Sequence, residues 1–227
     1  IANTAIGVYA LRKTTTSACN TASGYYALGN NTTGYRNTAV GGLALCATTT
    51  GFKNTAVGHI ALRKNITGCY NTGFGTGAIY CNTTGSNNTA SGTYALDANT
   101  TGGQNTAVGH LSLTTNTTGG DNTTVGYKSL YVTTTGAQNA AVGYSALCDN
   151  TTGCYNTALG FKALDKNTTG CNNIAIGNAA GCTNTTDSNK TWIGNASTTN
   201  TYICGALSKS SGTFLIPHPD PAKTETK

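Results

Sequence analysis

The chain is poor in charge. Only 9% of its 227 residues are Asp, Glu, Lys or Arg, far below the roughly one quarter usual in soluble domains. That excludes a charge-rich disordered segment and leaves few groups from which to assemble an acid and base pair. Pro is reduced to three residues, Trp to one, and Met is missing; with Ile1 at the start, this reads as a fragment or a processed product. No signal peptide and no apolar run long enough to cross a bilayer is visible, which argues against membrane insertion. No nucleic-acid motif occurs and the basic residues lack interleaved aromatics, so no nucleic-acid partner is expected. The absence of a CxxC pair or a Cys and His cluster argues against zinc, and nothing points to a cofactor.

What is present is Gly, Thr and Asn in strict order. From Asn3 an Asn recurs every seventeen residues through Asn173, in eleven copies without insertion or deletion, and a Gly follows each Asn at four places, from Gly7 to Gly177. Numbering the positions of a copy from its Asn, the consensus is Asn-Thr-Ala-Val-Gly-x-x-Ala-Leu-x-x-Asn-Thr-Thr-Gly-x-x. Column 5 is Gly in all eleven copies, column 15 is Gly in nine, column 3 is Ala in nine, column 8 is Ala or Ser in all, and column 14 is Thr in all. A unit this short cannot bury a core alone and must stack on its neighbours.

The apolar residues do not recur at helical spacing, and a β-branched, Gly-rich and Asn-rich sequence is poor helix material. The expected fold is therefore all-β, a parallel β-solenoid (β-roll or β-helix) of 17-residue repeats. Each coil reads as two short extended segments separated by glycine turns at positive φ. At about 4.8 Å per coil, eleven coils make a rod roughly 50 Å long. Column 4 (Ile6, Val40, Val57, Val108, Val125, Val142, Ile176) and column 9 (Leu11 through Leu164) are expected to form the internal aliphatic ladders. A lone rod of this kind buries little apolar area. Association through the small alanine columns would bury a second surface, and a closed homotrimer or filament bundle would dispose of it.

The organisation follows from the register. Residues 1–187 hold the eleven repeats, 188–210 a terminal rung and cap, and 211–227 a Pro-rich extension leading to a missing region. The register survives at Lys190 to Gly194, which places Trp192 in the small-residue column 3 as a cap over the apolar ladder, with ligand stacking as the alternative. Asn200 to Gly205 reads as one further strand, and Ser211 to Pro221 ends the solenoid.

Few side chains suggest chemistry. Nine cysteines fit an oxidising exterior. Cys46, Cys148 and Cys182 share column 10, Cys69, Cys154 and Cys171 share column 16, and Cys81 is in column 11, all flanking the Asn-Thr-Thr-Gly turn. Cys148 could bridge Cys154, and Cys154 could bridge Cys171 on the next rung; several connectivities stay open. Asn31, Asn82, Asn99, Asn116, Asn150, Asn167 and Asn184 open Asn-Thr-Thr triplets and Asn65 opens Asn-Ile-Thr, so all are N-glycosylation acceptors by pattern, set against a role in turn and ladder hydrogen bonding. Asp149 and Asp165 fall on adjacent rungs, a spacing open to a glycosidase pair or to two solvated turn residues. His59 and His110 share column 6 but lie three rungs apart, about 14 Å, too far for one metal. Arg12, Lys13, Arg36, Lys53, Arg63 and Lys64 all precede the first acid, Asp97, so one end is basic; the cations read as solvated residues of variable columns, set against a surface for a phosphate-rich or sialylated partner. The Thr file of column 14 is the kind of surface an ice-binding solenoid presents, whereas aromatics in columns 6, 7 and 16 (Tyr25, Tyr26, Tyr35, Phe52, Tyr94, Tyr127, Tyr144, Phe161) suit sugars or packing between chains.

The Asn-Thr-Ala-Val-Gly block resembles the Asn-Ser-Val-Ala-Ile-Gly block of trimeric autotransporter adhesin heads, and its alternation with Asn-Thr-Thr-Gly is similar to the repeat regions of phage and algal-virus tail-fibre proteins. Ser211 to Thr224 is similar to the segment that joins such repeats to a C-terminal chaperone-like or peptidase-like region. The resemblance implies trimeric parallel β-rolls on a virion or cell exterior. The function expected is a non-enzymatic fibre or adhesin rod that displays surface-binding groups, toward host carbohydrate among others. An ice-binding solenoid and a glycan-degrading tailspike are the alternatives.

Overall fold

A computed structural model describes residues 2–198 and two short strands beyond them, Leu215–Pro217 and Thr224–Thr226. Among the described residues there is no helix. Columns 2 to 4 of each copy form a three-residue strand, from β1 (Thr4–Ile6) through β2 (Thr21–Ser23), β3 (Thr38–Val40), β4 (Thr55–Val57), β5 (Thr72–Phe74), β6 (Thr89–Ser91), β7 (Thr106–Val108), β8 (Thr123–Val125), β9 (Ala140–Val142), β10 (Thr157–Leu159) and β11 (Ile174–Ile176) to β12 (Thr191–Ile193). They make one 12-stranded parallel sheet in sequence order. Pairing advances by one repeat at a time, Ala22 opposite Ala39 and Ala39 opposite Ala56. The chain is a parallel β-solenoid, and the coils are contained in residues 1–197 as one compact unit. In a second unit, 198–227, β13 (Leu215–Pro217) and β14 (Thr224–Thr226) pair antiparallel, Ile216 opposite Glu225. The readings for Asn200 to Gly205 and for Pro219 and Pro221 lie outside the described residues.

Each coil has one strand rather than two. The rest of the coil is turns whose backbone still bonds to the next coil: Leu28 N–H donates to the Ala44 carbonyl at 3.0 Å, and Thr32 N–H to the Thr49 carbonyl at 3.0 Å. The core is narrow and made of columns 3, 8 and 9. Ala39, Ala44 and Leu45 are wholly buried, as are their equivalents from the second copy to the eleventh. Column 8 and column 9 are consecutive, yet both point inward. That is possible because columns 7, 9 and 17 adopt the left-handed conformation, for example Leu43 at φ 61°, Leu45 at φ 51° and Lys53 at φ 55°. The left-handed backbone costs a bulky L-residue about 1–2 kcal/mol, while burying a leucine side chain contributes about 1.5–3 kcal/mol. The second term is at least as large, which keeps Leu rather than Gly in column 9.

Column 4 does not line the core, against the expectation from its aliphatic character. Val40, Val108, Val125 and Val142 are 38–39% exposed and Ile6 is 64% exposed. In a three-residue strand the side chains alternate, so an inward column 3 sends columns 2 and 4 outward. The alanine columns are likewise core and not a lateral contact surface, because small side chains are what a coil this thin can enclose.

The two glycine columns answer different demands. Column 5 takes φ between 119° and 145° from Gly7 to Gly177. Column 15 has no left-handed backbone; a Cβ on Gly102 would lie 2.4 Å from the Gly119 carbonyl oxygen and 2.5 Å from Asn99 Oδ1. Glycine is needed there for close approach and not for φ.

Two files of buried amides run beside the core. In column 1, Asn54 N–H donates to Asn37 Oδ1 at 2.9 Å and Asn54 Nδ2 to the Gly68 carbonyl at 2.9 Å. In column 12, Asn82 Nδ2 donates to Asn65 Oδ1 at 2.7 Å and to the Gly85 carbonyl at 2.9 Å. Buried polar groups are tolerated when every partner is supplied, and the period supplies them. One set of departures is matched too. The only Thr of column 3, Thr124, meets the only two Ser of column 8, so that Ser112 Oγ is bonded to Thr124 Oγ1 and to Ser129 Oγ.

The stack closes at Trp192, which pairs with Ala175 and packs half-buried against the core. Column 9 of the last copy is Gly181, where a Cβ would already be 3.0 Å from the indole. The ring occupies space that a leucine fills in the other coils.

Candidate functional surface

With columns 1, 3, 8, 9, 12 and 15 inside, recognition is left to the outward columns, and these are of two kinds. Every charged residue from Arg12 to Lys166 stands in columns 7, 10, 11 or 17. Columns 2 and 4 of the twelve strands carry Thr, Val, Ile, Ser, Ala, Leu or Phe and no charge at all. Thr106 and Val108, Thr123 and Val125, Ala140 and Val142 succeed one another in register on one outward face. Column 14 is a third uniform file: its Thr is exposed in all eleven copies, and its hydroxyls make no hydrogen bond among the described residues. The hydroxyls of column 13 are used internally instead, Thr83 Oγ1 donating to the Thr100 carbonyl at 3.0 Å.

The aromatic residues also stack by column. His110, Tyr127, Tyr144 and Phe161 in column 6 follow one another with centroids 5.6, 5.2 and 5.2 Å apart. In column 16, Tyr35 and Phe52 are parallel at 4.8 Å. Cations lie on ring faces nearby: Lys53 Nζ sits 4.7 Å from the Tyr70 ring centroid, and Lys64 Nζ 5.0 Å from that of Tyr80. Sequence reading found these columns but not the stacking partners, since ring orientation is set by χ angles that a repeat does not reveal.

Asp149 and Asp165 border one surface cavity of about 240 Å³ with Lys128, Tyr144, Cys148 and Lys162. Asp149 is bound by Lys166, Nζ to Oδ2 at 2.8 Å, the only ion pair among the described residues. Burial raises the Asp165 carboxyl above its ordinary range, with Lys166 and Lys162 opposing the shift, and its Oδ1 is buried without a partner. His59 and His110 are exposed. Among the described residues no group of three or more His, Cys, Asp or Glu could hold a metal, and no helix is long and apolar enough to cross a membrane.

Among the described residues the cysteines are not bridged. Cys69, Cys81, Cys148, Cys154, Cys171 and Cys182 are free thiols, as are Cys19 and Cys46. In the pair on adjacent rungs, the Cys154 N–H donates to Cys171 Sγ at 3.1 Å, while Cys154 Sγ bonds back to the Thr152 carbonyl at 3.3 Å. Burial pushes the Cys148 thiol up, as it does Cys46 and Cys81, so these stay protonated.

The sequon asparagines are the inward column 12. Asn31, Asn65, Asn82, Asn99, Asn116, Asn150 and Asn167 are wholly buried and Asn184 is 5% exposed. Their Nδ2 atoms donate to the column 15 residue of the same turn, as Asn167 does to the Gly170 carbonyl at 3.1 Å. In the folded coil these nitrogens have no room for a glycan; the exposed hydroxyls of the turn belong to the Thr beside them.

Fold and surface together define a β-solenoid repeat protein with two uniform outward faces and one variable one. No protein-family model, no curated protein and no solved structure matches the chain.

Proposed function

We propose that this solenoid is a non-catalytic structural rod, the shaft or head of a viral fibre or cell-surface adhesin, held outside a virion or cell and assembled as a homotrimer. The observation that carries this is the uncharged sheet face. An exposed position free of structural demand drifts, as columns 10, 11 and 17 do between Arg, Lys, Asp, Tyr, Cys and Gly. Columns 2 and 4 face outward and vary only among uncharged residues, mostly Thr and aliphatics, which is what a covered surface requires. At about 4.8 Å per strand and about 3.3 Å per residue, the face measures roughly 53 by 10 Å, or roughly 1,000 Å² over two copies. That reaches the lower bound of about 1,000 Å² for a biological interface. Three copies turning this face to a common axis would close a dry seam, while the variable columns stay outward to meet host carbohydrate.

Sedimentation equilibrium at micromolar concentration tests the assembly. A trimer mass is expected, and Val108→Lys with Val125→Lys should release monomers whose circular dichroism is unchanged. A monomer in the parent protein would overturn it.

The exposed Thr file of column 14, with unengaged hydroxyls at every coil, favours a second reading, a surface that orders water and binds ice. Thermal hysteresis of the parent protein, lost on replacing Thr101 and Thr118 by Tyr, would replace the rod reading with this one.

A further inference from the structure

We infer that the basic end of the rod carries a binding site for an acidic sugar, a pyranose bearing a carboxylate, between Tyr35 and Ala18. The inference rests on the display reading, since it names what one variable region displays.

The site arises from a break in a stack. Column 16 reads Ala18, Tyr35, Phe52 in consecutive coils. Phe52 covers one face of Tyr35 with planes 3° from parallel and centroids 4.8 Å apart. The opposite face looks along the axis over Ala18, whose methyl group leaves it open. A cavity of about 380 Å³ lies there, lined by Thr16, Ala18, Cys19, Thr33, Tyr35 and Arg36, within the range that holds small ligands.

Four of the six lining residues have a use for such a ligand. The free Tyr35 face packs on the C–H face of a pyranose, an arrangement that rewards an apolar surface with a polar rim. Arg36 has no ion pair among the described residues, and no acid precedes Asp97 in the sequence. The next cation of its column is otherwise engaged, Lys53 Nζ donating to Tyr70 Oη at 3.0 Å. A guanidinium presents two parallel donors to a carboxylate. Thr16 and Thr33, from the uniform column 14, bring unengaged hydroxyls to the same cavity and can exchange hydrogen bonds with ring hydroxyls. One guanidinium matches the single charge of one carboxylate, and the cavity lining has no second cation to balance the double charge of a phosphate monoester.

The test is ligand-observed NMR titration of the intact protein with a glucuronate-terminated disaccharide, its glucose-terminated counterpart and a nucleoside monophosphate. The acidic sugar should bind at least about tenfold more tightly than the neutral one, the size of effect a charge-assisted hydrogen bond produces. Arg36→Gln, an exposed substitution, should remove that preference. Ala18→Tyr should continue the ring stack, fill the cavity and abolish binding of both sugars. Equal affinity for the two sugars, binding undiminished in Arg36→Gln, or a preference for the nucleotide would overturn the inference. Failure here leaves the sedimentation result standing, and a monomeric parent that still binds the acidic sugar would sink the assembly alone.

Discussion

The side-chain carbonyl of Asn116 is buried and receives no hydrogen bond, because one coil further on Thr133 stands where an Asn would donate to it. Thr133 gives its hydroxyl to the Asn150 carbonyl instead, at 2.9 Å. Asn31 and Thr48 repeat the arrangement: Asn31 Oδ1 is unpaired and Thr48 donates to the Asn65 carbonyl at 2.9 Å. An intact step, Asn116 Nδ2 to Asn99 Oδ1 at 2.9 Å, shows what is missing.

Restoring the donor should therefore stabilise the rod. Thr133→Asn and Thr48→Asn are each expected to add about 1–3 kcal/mol, the cost of a buried unsatisfied acceptor. Because the two sites are five coils apart their effects should add. Equilibrium denaturation of the single and double variants measures this; loss of stability in both singles would show that Thr is held there by packing.

Gly102→Ala addresses close approach without a change of φ class. Its Cβ would sit 2.4 Å from a backbone oxygen of the next coil, so neighbouring coils must part. A loss of about 1–3 kcal/mol or more is expected, read as a fall in thermal midpoint. Substitution of the exposed Thr101 by Ala serves as the control and should change little.

The carboxyl of Asp97 is raised by burial, with Lys64 opposing the shift, and that of Asp165 is raised likewise. A folded pKa above the unfolded one means that the folded state holds the proton more tightly. The contribution is full below the ordinary carboxylate value and is lost as pH rises through the raised folded values. From the ordinary carboxylate range upward these two groups should make the solenoid more stable toward the acid side. Asp97→Asn should flatten that slope in denaturation curves; a steeper slope would contradict the assignment.

Peptide mapping under non-reducing conditions should find Cys148, Cys154 and Cys171 unlinked, since their thiols are free in the coil. In the same experiment on protein secreted from eukaryotic cells, Asn82 and Asn99 should be unmodified where the chain is folded. A Cys148 to Cys154 crosslink or occupied sequons would require a different conformation of the turn between them.

The seventeen-residue spacing established from sequence alone that like residues stack, that the strands are parallel and in register, and that the run extends to Gly194. It located the exposed Thr file and the leucine ladder, because column 9 is long, aliphatic and almost invariant. It could not say which way columns 3 and 4 face. Ala39 and Val40 are both apolar, and preferring the larger one for the core put Val40 on the wrong side. Nor could it separate an asparagine that caps a turn from one that waits for a glycan, since Asn82 satisfies both patterns.

Those choices are tertiary. The left-handed residues in columns 7, 9 and 17 break the simple alternation of a strand and allow Ala44 and Leu45, adjacent in sequence, to enter the core together. Once two consecutive side chains are inside, little room is left in column 3, and alanine takes the third inward place in nine of the eleven copies. Periodicity determines what lies above what; only the backbone's turn through the left-handed region decides what lies within.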